Sequence, residues 1–398
     1  MKILIVTPRI PYPPYRGDKL KIFNICQNLI THNYVKVLTF LSKSSERSDV
    51  AELINLGIDI ETVSLPKVNS LMNLFRSIFT LNPLQISYYY ARKMHKRIYQ
   101  LTLEKKFDVV YFHLLNSAQY YNAVASAQTL KVLDFTDATS LFLIKFLKFI
   151  KNPFKKIIFC YELWAVSKYE KIARQFDTLF VCSHVDREFL SDRKVHNNIQ
   201  LLLNGYDHCT FKYEEKEAEN GRIIFTGNMT YFPNIDAVTY FAKEIFPLVL
   251  EKIPYAKFYI VGQAPPKQVL KLMSDNVIVT GFAKDLKQEY LKSRISVAPI
   301  RFGSGSLNKI IESMVLGIPI VATNFAIQGF PKELTKYIFT ADNELVFANK
   351  VVEIMNGDQS IMMKEAAEKI SELLSWDNIV RNFEVILKEQ IAIKEKSN

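Results

Sequence analysis

Runs of consecutive apolar residues recur through the first half of the chain: KILIVT at 2–7, VKVLTF at 35–40, DVVYF at 108–112, KVLDF at 131–135, TLFVCS at 178–183 and IQLLLN at 199–204. Helix-like stretches separate them. Strands that are apolar on both faces belong inside a parallel sheet covered by helices, so this half reads as a doubly wound domain. After Asn204-Gly205, the segment YDHCTFKYEEKEAENG is polar and charge-rich and has no apolar period, which marks a linker at 206–221. The alternation restarts with RIIFTG at 222–227, KFYIVG at 257–262, VIVTG at 277–281, ISVAPI at 295–300 and IPIVAT at 318–323. The expected layout is therefore α/β, with doubly wound domains at 1–205 and 222–375. A closing helix and tail follow at 376–398, where Ile379, Val380, Phe383, Ile386 and Leu387 fall at helical spacing. Ligands of open α/β sheets bind beyond the carboxyl ends of the strands, so the cleft between two such sheets is the expected site.

Length agrees with two domains, since 398 residues exceed what one core of roughly 250 to 300 residues holds. The chain carries 51 Lys and Arg against 40 Asp and Glu, a net charge of +11, which favours anionic partners. Nucleotide diphosphates and anionic lipid fit that charge. Nucleic acid does not, because no basic run interleaved with stacking aromatics and no zinc-finger spacing occurs. The cysteines at 26, 160, 182 and 209 form no C-x-x-C pair, which argues against a zinc site or a disulfide framework and fits a cytoplasmic setting.

The N-terminus MKILIVTPRIPYPP reads as a first strand and not as a secretion signal. No window reaches the roughly 20 apolar residues needed to span a bilayer. The nearest approach, Ser140 to Trp164, alternates Leu, Ile and Phe with Lys145, Lys148, Lys151, Lys155 and Lys156 and is divided by Pro153. Such a stretch can lie in an anionic headgroup layer, which would make the protein peripheral on the inner face of the membrane. The alternative is a surface helix with its apolar face on the core.

Candidate chemistry concentrates in RFGSGSLNKIIESMVLGIPIVAT, from Arg301 to Thr323. A glycine-rich turn of Gly303, Ser304, Gly305, Ser306, Leu307 and Asn308 leads into a helix whose first N–H groups can meet an anion. Lys309 lies in the first turn and can neutralise a diphosphate, and Glu312 lies one turn on, on the same face. The bland alternative is a surface Lys–Glu pair at i and i+3, contributing a few tenths of a kcal/mol. Two upstream strands also run directly into glycine, at Gly227 and Gly262, where the missing side chain lets backbone or ligand approach.

The segment N-K-I-I-E-S-M-V-L-G-I-P-I-V resembles the C-terminal motif of the retaining transferases of glycosyltransferase family 4. The resemblance extends through TPRIPYPPYRGDKLKIFN, FTGNMTYFPNIDAV, FYIVG and VTGFAKDL, and is nearest to a subgroup linked to bacterial exopolysaccharide assembly. It implies the GT-B fold, two Rossmann-like domains facing across a cleft, and a nucleotide-sugar donor that is UDP- or GDP-linked, with no cofactor. By the same resemblance Lys309 contacts the donor diphosphate and Glu312 the ribose. The common family form has a glutamate eight residues before Glu312, and this chain has Ser304 there.

His113 falls where the family often places a histidine near the donor sugar, though a lone His at a strand end is commonly structural. Gly17 and Asp18 belong to the loop that approaches the reacting sugar or acceptor, with Asp18 as a plain helix cap the alternative. Asn228 and Asn234 follow Gly227 and can hydrogen-bond donor groups. The family often has a basic residue in this loop; none occurs here, which leaves Lys309 and Arg301 to supply charge. Asp134 and Asp137 read as turn and cap residues.

The implied reaction moves a sugar from donor to a glycan or lipid-linked acceptor with retention, by positioning and by stabilising the leaving phosphates. No Asp-x-Asp motif for a divalent metal is evident, and none is required if Lys309 and the helix N-terminus suffice. Two rivals remain at this level: a nucleotide-sugar epimerase of the same architecture, and a non-catalytic nucleotide-sugar-binding partner subunit.

Overall fold

The computed structural model describes residues 1–397 apart from 215–217 and 304–307. The chain divides into two units, one formed by Met1–Leu203 with Ile379–Asn398 and the other by Asn204–Asn378. The polar segment 206–221 thus falls within the second unit, and the C-terminal residues return to the first.

The first unit holds a seven-stranded sheet: β1 (Lys2–Thr7), β2 (Tyr34–Leu41), β3 (Asp59–Ser64), β4 (Val109–His113), β5 (Leu130–Thr136), β6 (Thr178–Val181) and β7 (Ile199–Leu201). Its order is β3-β2-β1-β4-β5-β6-β7, and every neighbouring pair is parallel. The order reverses direction at β1, which puts the ends of β1 and β4 side by side at a topological switch point. β1 and β4 are buried along almost their whole length, as strands covered by helices on both faces must be. The C-terminal segment closes this unit by setting Phe383 edge-on against Tyr111 at 5.5 Å and Phe180 at 5.1 Å.

The second unit holds β8 (Arg222–Thr226), β9 (Lys257–Val261), β10 (Val277–Gly281), β11 (Ile295–Ala298), β12 (Ile320–Ala322) and β13 (Phe339–Thr340). They form one parallel sheet in the order β10-β9-β8-β11-β12-β13, so here the switch point lies between β8 and β11. The helix Trp376–Ser397 opens with Trp376 buried in this unit over Gly205, where an added Cβ would come within 2.8 Å of the indole. That helix runs well past Leu387, the last of the apolar positions at helical spacing.

The basic stretch near Pro153 is two helices, Thr139–Leu147 and Pro153–Tyr169, with Pro153 in the first turn of the second. Asn152 caps that second helix by accepting from the Lys155 amide at 3.1 Å. No helix among the described residues is long and apolar enough to cross a membrane.

Candidate functional site

The second unit gathers its polar groups where β8, β9 and β11 end. β8 runs into Gly227 and β9 into Gly262, and the two turns pack so closely that a Cβ on Gly262 would lie 1.8 Å from the Gly227 carbonyl oxygen. A Cβ on Gly227 would in turn lie 2.7 Å from Asn234 Nδ2. The glycines are therefore needed for packing inside the protein, independently of any ligand.

Asn234 acts as a clip in this loop. Its Nδ2 donates to the Asn228 carbonyl at 2.9 Å, and its Oδ1 accepts from Lys309 Nζ at 2.8 Å. Asn228 folds its own turn by accepting from the Thr230 amide at 2.9 Å and the Thr230 hydroxyl at 2.8 Å.

Lys309 lies in the first turn of the helix Asn308–Val315, whose Ile310, Ile311, Met314 and Val315 are buried and pull that whole face inward. The lysine is only 8% exposed, and its ammonium sits 3.8 Å from the centre of the Phe225 ring. Among the described residues it forms no ion pair; its polar partner is the neutral amide of Asn234. Burial in this apolar setting pushes its titration down to about 7, against the upward pull of Glu312.

Glu312 is half-buried and accepts from Tyr290 Oη at 3.1 Å, and Tyr290 Oη also meets Thr226 Oγ1 at 2.5 Å. Burial raises the Glu312 carboxyl above its ordinary range, opposed by Tyr290 and by Lys309. The surface Lys–Glu pair considered for these positions is therefore wrong: the lysine is buried and the glutamate is held by a tyrosine.

Around them Gly303 is buried, and the Asn308 side-chain oxygen is buried without a partner among the described residues. Ser304, Gly305, Ser306 and Leu307, predicted to cradle phosphate, lie outside the described residues. Arg301, expected to add positive charge, is already engaged. Its guanidinium donates to both carboxylate oxygens of Asp236 at 2.9 and 2.6 Å and stacks 4.4 Å from the Tyr240 ring centre.

In the first unit, the ends of β1 and β4 bring Thr7 and His113 together, with Thr7 Oγ1 3.0 Å from His113 Nδ1. Nε2 of His113 is buried without a partner among the described residues. Burial lowers this imidazole to about 4, against the pull of Asp134 and Asp18. Asp18 is the second residue of the helix Gly17–Leu29 and not its cap, which is Arg16. It pairs with Arg9 and with Arg16, the latter at 3.2 Å. Burial works to raise the Asp18 carboxyl, and the two arginines overcome it. A Cβ on Gly17 would meet open space.

Beneath them lies a buried group that the sequence did not announce. Asp134 accepts from Tyr111 Oη and pairs with Lys21 Nζ at 2.9 Å, all three being shut off from solvent. Asp134 is therefore not a turn residue. Lys21 stands between Lys19 and a run of helix-forming residues and looks like any solvated lysine. Tyr290 and Asp236 likewise carry no spacing that singles them out in the sequence.

Residues 220–357 match the family described as "Glycosyl transferases group 1". An uncharacterized 44.6 kDa protein in the cps region of Klebsiella pneumoniae is 23% identical over 369 residues, covering 88% of this chain and 90% of that one. HepE of Anabaena, solved with UDP and glucose, is similar in structure at a TM-score of 0.69 and 15% identity, covering 98% of this chain and 99% of that one. Sucrose-phosphate synthase from Thermosynechococcus elongatus gives a TM-score of 0.67 at 13% identity, covering 99% and 100%. The fold is thus the pair of parallel-sheet, Rossmann-like units seen in GT-B glycosyltransferases, and residues 220–357 are similar to the group 1 glycosyltransferases.

Proposed function

We propose that this chain transfers a sugar from a nucleotide-diphosphate donor to a glycan or lipid-linked acceptor, with retention at the anomeric carbon, in the assembly of cell-surface polysaccharide. The observation that carries the reading is Lys309, a buried ammonium at a helix start with an amide where a carboxylate would be expected. Burying a cation without a counter-charge is costly, and the cost is recovered when an anion binds. A diphosphate is the anion that a glycosyltransferase domain brings there.

In this reading Lys309 and the first N–H groups of its helix stabilise charge on the departing diphosphate, so that neither a divalent metal nor a cofactor is needed. Glu312, oriented by Tyr290, accepts a hydrogen bond from a ribose hydroxyl. Gly227, Asn228, Asn234, Gly262, Gly303 and Asn308 shape the donor pocket, and the Asn308 side-chain oxygen, which has no partner among the described residues, accepts from the donor. Arg301 holds the loop through Asp236. His113, neutral at physiological pH, hydrogen-bonds the sugar through Nε2, while Gly17 and Asp18 line the acceptor side. The match to a protein from a cps region supports polysaccharide assembly. The UDP in the HepE structure makes uridine the first base to test. A lipid-linked acceptor would place the work at the cytoplasmic face of a membrane.

Titration calorimetry of UDP and GDP tests the donor site directly. Micromolar binding of one nucleotide is expected, weakened about tenfold or more in Lys309→Ala by loss of a charge-assisted phosphate contact. Failure of the wild-type chain to bind either nucleotide would overturn the reading.

A further inference from the structure

The helix Lys67–Thr80 in the first unit is turned inside out. A surface helix normally buries its apolar stripe and shows its polar side to water. Here Ser70 and Ser77 are each 1% exposed, while Val68, Leu71, Met72, Phe75 and Phe79 are all exposed, Phe79 to 74%. At 100° per residue the five apolar positions fall within one stripe about 100° wide, and the two serines lie directly opposite it. Asn73, beside the buried face, holds the helix to the unit by donating to the Tyr90 carbonyl at 2.8 Å. Lys67 and Arg76 lie on either flank of the stripe, where long stems can run along apolar surface and carry their charges outward.

A second exposed apolar group lies on the helix Pro153–Tyr169, at Phe154, Ile157 and Ile158, with Phe154 78% exposed. The helix Pro153–Tyr169 touches the chain just past the end of the first helix, where Tyr161 Oη donates to the Asn82 carbonyl at 3.2 Å. Glu162 ties the helix Pro153–Tyr169 to the helix that follows the first, Leu84–Tyr88, by accepting from the Leu84 and Gln85 amides at 2.8 and 3.2 Å. Residues 67–81 contain two cations and residues 139–161 contain five, and neither segment contains an Asp or Glu. The nearest carboxylate in sequence, Glu162, is buried and committed to those amides.

We propose that these two helices form a membrane-docking surface that inserts the 68–79 stripe among the acyl chains of an anionic lipid leaflet. A contiguous apolar stripe this exposed favours contact with another apolar phase, and six surrounding cations, Lys67, Arg76, Lys148, Lys151, Lys155 and Lys156, in segments without an Asp or Glu, select a negatively charged one. The purpose of docking, access to a lipid-linked acceptor, rests on the function proposed above; the docking itself does not.

The test is co-sedimentation of the full chain with vesicles of phosphatidylglycerol and phosphatidylcholine, and with vesicles of phosphatidylcholine alone. The wild type should pellet with the anionic vesicles and remain largely in solution with the neutral ones. The triple variant Leu71→Ser, Phe75→Ser, Phe79→Ser should lose about tenfold or more of that partitioning. Its thermal unfolding and UDP binding should match the wild type, because the altered side chains are exposed and lie outside the donor-binding unit. The variant Arg76→Gln, Lys151→Gln, Lys155→Gln, Lys156→Gln should lose the preference for anionic lipid. Full vesicle binding by the triple variant would overturn the proposal, as would wild type left in solution with anionic vesicles, or a dimer that the triple variant abolishes while vesicles fail to compete for it. Absent UDP binding with vesicle binding intact would count against the donor site alone.

Discussion

Replacing Lys309 by methionine should stabilise the protein while disabling it. The side chain is buried, and its titration falls from an ordinary 10.5 to about 7. Between those two values the unfolded chain binds a proton that the folded chain refuses, so stability rises with pH through that window. At pH 7 the mismatch costs the folded state about 4 kcal/mol. Methionine fills a similar volume without charge, removing that cost, but it leaves Asn234 Oδ1 without its donor, a loss of about 1–3 kcal/mol. The net expectation is a variant more stable than wild type by about 1–3 kcal/mol at pH 7. By about pH 9.5 the wild-type cost has shrunk to about 1 kcal/mol, so the advantage should vanish or reverse. Urea unfolding of both proteins at the two pH values, with and without UDP, measures every part of this. UDP should raise the stability of the wild type in proportion to the logarithm of its concentration and raise that of Lys309→Met by at least about 1.4 kcal/mol less, the equivalent of binding about tenfold or more weaker. A variant less stable than wild type at pH 7, by an amount that does not change with pH, would refute the idea of a desolvated lysine awaiting an anion.

Asp134→Asn should cost about 3–5 kcal/mol in urea unfolding, because it strands the buried Lys21 ammonium; adding Lys21→Met should recover most of the loss. Gly262→Ala drives a methyl into the Gly227 carbonyl, where only backbone can yield, so a loss of about 1–3 kcal/mol or more is expected together with weaker UDP binding by calorimetry. For His113 the folded value of about 4 lies below an ordinary 6.5, so the unfolded state binds the extra proton between them and stability falls as pH drops through that window. His113→Gln should flatten this dependence in pH-resolved unfolding, and an NMR titration of the wild type should show the His113 ring unprotonated at pH 5.5.

The central strands were legible because burial on both faces writes an unbroken apolar run, as in VVYFH and RIIFT. Two of the four edge strands, β3 and β13, were not. β3 reads DIETVS and buries only its second and fifth residues, and β13 is two residues long, so neither leaves a run to find. The stripe on the Lys67–Thr80 helix exposes a related limit: periodicity tells which face is apolar, and packing alone decides whether that face meets the core. At the site, spacing placed Lys309 and Glu312 one turn apart but gave no burial, so the same letters fitted a solvated ion pair. The same gap separates the two buried lysines. Lys21 and Lys309 each occupy an early turn of a helix that follows a parallel strand, and in the sequence both stand among apolar residues with an acid three positions away. The acid three before Lys21, Asp18, is taken by Arg9 and Arg16, and Lys21 finds its carboxylate in Asp134, 113 positions on in the sequence. The acid three after Lys309, Glu312, is taken by Tyr290, and Lys309 is left with an amide. An internally neutralised lysine holds a fold together, whereas one denied its counter-charge keeps an open demand for an anion. The distinction lies in the partners of the neighbouring carboxylates, which only the folded chain brings together.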